Sequence, residues 1–191
     1  MEDLENYTKE KLTINLVWAN VFSLLMLVPT ALLFWLPFEW LWKPDSASRH
    51  FFGDINPPLQ MLLFLAVLTV GVVLHELLHG LTWSLFTKNG FKSMKFGVLW
   101  KSLTPYCHCK EPLQVRQYVL GALAPAVVLG VLPCVAALVF GHFGLLCFGM
   151  LFIVLASGDL LIILKVRKLK PTDMVLDHPS EAGCYVYRKV A

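Results

Sequence analysis

From Gln117 to Gly158 the chain carries no Asp, Glu, Lys or Arg. A run of that length without charge does not suit the surface of a water-soluble domain. It is long enough to cross a bilayer twice, because about 20 apolar residues in a helix span the hydrocarbon core. The rest of the chain agrees: 57% of its 191 residues are hydrophobic and 15% charged, too apolar for a soluble domain of this size. The expected fold is therefore an all-α integral membrane protein. Gly141-His142-Phe143-Gly144 breaks the run, which predicts a span near residues 118–140 and another near 145–164, joined by a short uncharged external turn. Pro125 and Pro133 should kink the earlier of the two.

Two further spans are expected upstream. Leu12 to Phe38 is also free of charge, and Trp35, Trp40 and Trp42 stand near its far end, where indole rings prefer the membrane interface. This run, residues 12–38, is too long for a secretory signal peptide and lacks a small-residue cleavage site. A charged loop over 39–54 ends at Asn56-Pro57-Pro58, where proline suits the first turn of a helix, and a span over 59–86 follows. The loop 87–116 holds six basic residues, Lys88, Lys92, Lys95, Lys101, Lys110 and Arg116, against one acid, Glu111, and is expected on the cytoplasmic side. Lys165, Arg167, Lys168 and Lys170 place the tail, residues 165–191, on the same side. The sum is four transmembrane helices in one membrane-embedded domain, 1–191, multi-pass in the cell membrane with both termini cytoplasmic. Within the loop, residues 92–100 alternate as a strand does, and a turn near Thr104-Pro105 would close a β-hairpin-like element with residues 106–110. The basic residues follow the loops, so the net charge of +3 reports topology and no nucleic-acid patch. Five cysteines, at 107, 109, 134, 147 and 184, form no disulfide framework.

His75, Glu76 and His79 lie inside the second span. On a helix, positions i and i+4 share a face, so the two imidazoles can hold one divalent cation with Glu76 beside it to handle protons. Gly71 and Thr82 fall near that face and leave room for another helix. Ionisable groups in a lipid-length segment cost several kcal/mol, roughly, unless they are paired, bound to metal or in a wet cavity. The only acidic residues inside the four expected spans are Glu76 and Asp159. Span two runs toward the basic loop and span four toward the basic tail, so both acids belong to the cytoplasmic portion of their helices. A tetrahedral catalytic zinc takes three protein ligands and a water, and Asp159 is the candidate for the third. One Zn2+ per chain on His75, His79 and Asp159, with Glu76 as general base, is a constellation for peptide hydrolysis. The histidine pair alone would only bind metal.

HELLHG on a membrane helix is the HExxH arrangement of zinc peptidases. With the basic, strand-like loop, the GALAPAVVLG segment and the late SGDL, the chain resembles site-2 protease class intramembrane zinc metalloproteases. It resembles more closely a bacterial membrane family of zincin-type peptidases in which a closing segment like DHPSEAGCYVY also occurs. The resemblance covers roughly residues 57–186. It implies a three-helix catalytic core, His75, His79 and Asp159 as ligands, Glu76 as general base, and a strand at 92–100 able to pair with an unwound polypeptide substrate that is membrane-anchored or membrane-adjacent. Residues 121–130 contain no Asn, so no oxyanion-stabilising side chain is assigned there.

Other polar features read more plainly. Cys107-His108-Cys109 are taken as ordinary loop residues, since two sulfurs one residue apart lack further ligands nearby in sequence. His142 and His50 are expected in solvated turns. Asp177-His178-Pro179 is expected as a surface turn, with a return to the site as a plug or ligand the less favoured reading. The alternative to an endopeptidase is a non-hydrolytic membrane protein that binds zinc for structure, sensing or transport.

Overall fold

The computed structural model describes residues 7–43, 51–52, 55–100, 104–178 and 181–189; His50, Lys101 and Pro179 lie outside the described residues. It is mostly helical, and three helices are long and apolar enough to cross a membrane: Val17–Trp42, Pro57–Ser84 and Val115–Phe140. The first is composite, with α1 (Leu16–Thr30), a π-helical stretch Ala31–Trp35 and α2 (Leu36–Trp42). The second is the single helix α3 (Pro57–Ser84). The third repeats the first design as α4 (Val115–Pro125), a π-helical stretch Ala126–Val131 and α5 (Leu132–Phe140).

Proline explains the two widened stretches. Each follows one proline, Pro29 or Pro125, and precedes another, Pro37 or Pro133. A proline removes one backbone donor and pushes its ring at the carbonyl four residues back. Widening the turn to i→i+5 bonding relieves the collision without ending the helix. Between Pro125 and Pro133, where a kink is expected, the helix widens in this way and continues as one span-length helix.

Beyond Gly141, whose φ of 70° lets the chain reverse, α6 (Phe143–Leu155) and α7 (Ser157–Val166) are together long and apolar enough for a further span, but they bend by 45°. His142, expected in a solvated turn, caps α6 by accepting the Leu145 N–H on Nδ1 at 3.2 Å.

The chain gathers into two compact units, 1–19 with 76–124 and 158–191, and 20–75 with 125–157; α3 runs from one to the other between His75 and Glu76. In the unit containing 20–75, helices approach through small residues. A Cβ at Gly149 would come within 2.6 Å of the Gly130 carbonyl and the Cys134 sulfur, and one at Gly130 within 2.6 Å of Ile153. The Phe152 ring fills the space at Gly71, the close approach expected on that face. A second cluster joins buried Phe38, Ala137 and Leu146, and Trp42 Nε1 donates to the Leu138 carbonyl at 3.0 Å.

The all-α expectation is too narrow for the other unit. Four strands pair antiparallel in the order β1 (Tyr7–Thr13), β6 (Gly183–Lys189), β5 (Met174–Asp177), β4 (Leu113–Gln114). Alternation along β6 turns Cys184 and Val186 inward, where they join Val175, Tyr118 and Trp83 in one core. On the opposite face, Lys9 lies 3.7 Å from the centre of the Tyr185 ring. The first helix therefore begins at Leu16, not at residue 12, because Leu12 and Thr13 belong to β1.

The expected hairpin is present as β2 (Met94–Leu99) and β3 (Thr104–Cys109), but Leu99 pairs with Thr104 and Val98 with Pro105, so Thr104-Pro105 lies in a strand and the turn precedes it. Its base is fixed by Glu111. That carboxylate accepts the Lys88 N–H at 2.8 Å, the Asn89 N–H at 3.3 Å, the Asn89 side-chain amide at 2.8 Å and the Ser93 hydroxyl.

Candidate metal centre

Helix α3 begins where the sequence supplies a cap: Asn56 Oδ1 accepts the Leu59 N–H at 3.0 Å, and Pro57 needs no donor partner at the first position. Its 28 residues make about 42 Å of helix at 1.5 Å per residue, more than the thickness of a hydrocarbon core. His75 and His79 fall in its last third and are 8% and 3% exposed. Glu76 is half-buried on the same turn.

The His79 ring is held on two sides. Its Nδ1 lies 2.9 Å from the Gly121 carbonyl of α4, and a carbonyl can only accept, so Nδ1 carries the proton. In the neutral ring Nε2 then presents its lone pair, and it does so 3.4 Å from Asp159 Oδ1 on the first turn of α7. Gly121 makes this approach possible, because a methyl there would strike the Trp83 indole. The indole stacks on His79 with centroids 5.1 Å apart and planes at 13°, and its Nε1 donates to the Tyr118 carbonyl at 3.0 Å.

An imidazole lone pair and a carboxylate oxygen repel each other unless a proton or a cation lies between them. Two ligand atoms each about 2.1 Å from one tetrahedral ion stand about 3.4 Å apart, which is the separation found. His75, His79 and Asp159 each offer one ligand atom such that all three lie within 4.8 Å of one another. The donor set of two imidazoles and a carboxylate suits zinc. Residues 75, 79 and 159, separated by some 80 positions in sequence, can thus hold one metal ion.

A family model described as "Putative zincin peptidase" matches residues 68–174, more than half of the chain. The chain belongs to this family. The matched region contains His75, Glu76, His79 and Asp159, and the coarse functional assignment of the zincin peptidase family is a zinc metallopeptidase. No curated protein and no solved structure matches the chain.

Around this zincin-type centre stand residues that the motifs did not single out. Trp83 follows His79 by four positions, so the 75, 79, 83 spacing could have placed it on the metal face. Tyr118 stacks on Trp83 at 5.3 Å and 17°. Asp177 corrects the surface-turn reading: it closes β5, is 9% exposed, and accepts the Cys109 N–H at 2.8 Å and the Tyr118 hydroxyl. Burial pushes its carboxyl up to about 6, against the lowering effect of those two donors and of His79. His178 is engaged by the Glu181 N–H and the Tyr185 hydroxyl, each at 3.0 Å.

The Cys107-His108-Cys109 run lies on β3, the second strand of the expected hairpin in the segment between α3 and α4. Cys107 faces Gly80, one turn after Glu76, and burial pushes its thiol well above the usual range, with the Glu76 charge adding to the effect. Phe96 of β2 packs on Gly80 too, so the hairpin rests against the face of α3 that carries Glu76.

Proposed function

We propose that the chain is an integral membrane zinc endopeptidase, with His75, His79 and Asp159 as the metal ligands and Glu76 as general base. The observation that carries this reading is the 3.4 Å approach of His79 Nε2 to Asp159 Oδ1, with His75 completing the group. When bound, zinc supplies a Lewis acid that acidifies a water and polarises a peptide carbonyl. Glu76 would accept the proton of a water attacking the peptide carbonyl and return it to the leaving amine. Gly121 keeps the proton of His79 on Nδ1, so the nitrogen nearest Asp159 remains a donor to metal.

In this reading the three long helices and the bent α6–α7 pair make four spans, with the basic loop and both termini on the cytoplasmic side. Apolar side chains exposed along α1, among them Val17, Trp18, Leu24 and Leu25, support a lipid environment. The substrates are polypeptides anchored in or lying against the membrane near its cytoplasmic face. The edge of β2, on the Glu76 side of α3, is suited to pair with an unwound substrate strand.

The test combines zinc-edge anomalous scattering from crystals with zinc content and peptide cleavage of detergent-purified variants. Glu76→Gln should keep its zinc and lose about 10²- to 10⁴-fold in cleavage rate. His79→Ala and Asp159→Ala should lose the metal. Full complementation of a deletion strain by Glu76→Gln would reject hydrolysis and leave a zinc-binding role. Anomalous density on a third ligand other than Asp159 would reject the ligand set.

A further inference from the structure

The C-terminal tail reaches the surroundings of His79 through one side chain. Alternation along β5 turns Val175 and Asp177 to the same inner face, where Val175 is fully buried. A buried carboxylate is costly unless it is hydrogen-bonded, and Asp177 is bonded from two elements, the Cys109 N–H of β3 at 2.8 Å and the Tyr118 hydroxyl of α4. His108 Nδ1 stands a further 3.9 Å away.

Tyr118 is the end of a stack. Its ring lies 5.3 Å from that of Trp83, and Trp83 lies 5.1 Å from His79, with successive planes tilted by only 17° and 13°. Helix α4 meets α3 at two successive points of the stack, through Trp83 Nε1 to the Tyr118 carbonyl and His79 Nδ1 to the Gly121 carbonyl. Close-packed rings cannot tilt independently. Releasing the Tyr118 hydroxyl therefore frees Tyr118 to move, and Trp83 and His79 with it. The partners that orient a ligating histidine ordinarily affect metal affinity by about 10- to 100-fold.

We propose that Asp177 is a positioning residue for the metal centre, acting through the Tyr118–Trp83–His79 stack, so that the tail strand β5 is part of the site and not an appendage to it. The proposal rests on the reading of His79 as a zinc ligand.

The experiment uses the full chain in detergent and measures three things: zinc affinity by competition with a chromophoric chelator, the visible absorption of the cobalt-substituted protein, and thermal unfolding without metal. Asp177→Asn is expected to weaken zinc binding by up to about tenfold, no more than the loss of a direct partner of His79, and to shift the cobalt bands. Tyr118→Phe keeps the stacked ring, removes only the hydroxyl and should do the same. The double variant should lose no more than either single one, as members of one chain of contacts do.

Val175→Ala, on the same strand and face, is the control. It should lower the unfolding temperature and leave affinity and cobalt bands unchanged. Wild-type affinity and spectrum in both Asp177→Asn and Tyr118→Phe overturn the proposal, and so do equal shifts in Val175→Ala. Should Asp177→Asn fail to fold, Tyr118→Phe decides the matter by the same readings. If the wild-type chain binds no more zinc than His79→Ala, the metal reading itself has failed, which is a different result from either of these.

Discussion

The two units use glycine for opposite purposes. In the unit of residues 20–75 and 125–157, Gly71 and Gly130 admit the apolar side chains of Phe152 and Ile153 and Gly149 admits the backbone of a neighbouring helix, and the result is dense packing. In the other unit, Gly121 admits the Trp83 indole, and the result is a carbonyl delivered to His79. One unit is organised around packing and the other around the orientation of polar atoms. Substitutions at the packed glycines of the first should therefore change stability at constant metal binding, His75 at the unit's edge being set apart as a ligand, and substitutions around His79 in the second should change metal binding at nearly constant stability.

Metal removal gives the largest separation. Free zinc at 100 times its dissociation constant should stabilise the chain by about 2.7 kcal/mol, and a chelator should abolish the gain. Thermal unfolding of His79→Ala, with and without zinc, should show no difference. Next in size is Gly149→Val in the packed unit. The new side chain meets backbone atoms of Gly130 and Cys134, which cannot rotate away. A loss of about 1–3 kcal/mol in unfolding free energy is expected, with one zinc still bound per folded chain. Lost zinc at retained fold in this variant would break the contrast between the units.

The mirror experiment is Gly121→Ala. A methyl there displaces Trp83 or the α4 backbone, and the Gly121 carbonyl leaves His79 Nδ1. Zinc affinity should fall about tenfold, or about 1.4 kcal/mol, with a smaller change in unfolding temperature than Gly149→Val produces. Competition against a chelator and thermal unfolding on the same samples rank the two variants.

The same contrast explains what the sequence could and could not disclose. The long helices were legible because each contains an apolar run of membrane length with few or no charges, and the motif was legible because His75, Glu76 and His79 are within five residues on one helix. Asp159 could be found because an acid inside an apolar run has few uses. The four-stranded sheet was not legible. β1 pairs Tyr7 with Lys189 and Thr13 with Gly183, across almost the whole chain, and neither strand is long or apolar enough to announce itself. Leu12 and Thr13 looked like the start of a span because they lack charge, yet their partners Cys184 and Gly183 draw them into the sheet. Gly183 has a φ of 147°, and any Cβ there would strike the Leu12 carbonyl. Asp177 was named but its surroundings were hidden for the same reason: a surface turn was favoured over a return to the site, since its burial depends on β3 and α4, about 60 residues earlier, and not on its neighbours in sequence.

The smallest effect sharpens the comparison at its edge, where the polar unit meets solvent. Glu111 is half-buried, and its carboxyl is held down to about 2 by the Ser93 hydroxyl first, then by the backbone N–H of Lys88 and the donors of Asn89. A folded-state pKa below the ordinary 4.5 means that the carboxylate supports the folded loop at pH values above 4.5 and that this support disappears as the pH falls through about 2. Amide exchange at Lys88 and Asn89, after correction for the intrinsic rate, should therefore lose protection between those limits, while the helical amides around Gly149 keep theirs. Glu111→Gln should remove the pH dependence at Lys88 and Asn89 and leave zinc affinity unchanged, because the network joins loop to hairpin and does not include the stack on His79. A Glu111→Gln variant that loses zinc would extend the metal-orienting part of the unit out to its solvent-facing loop.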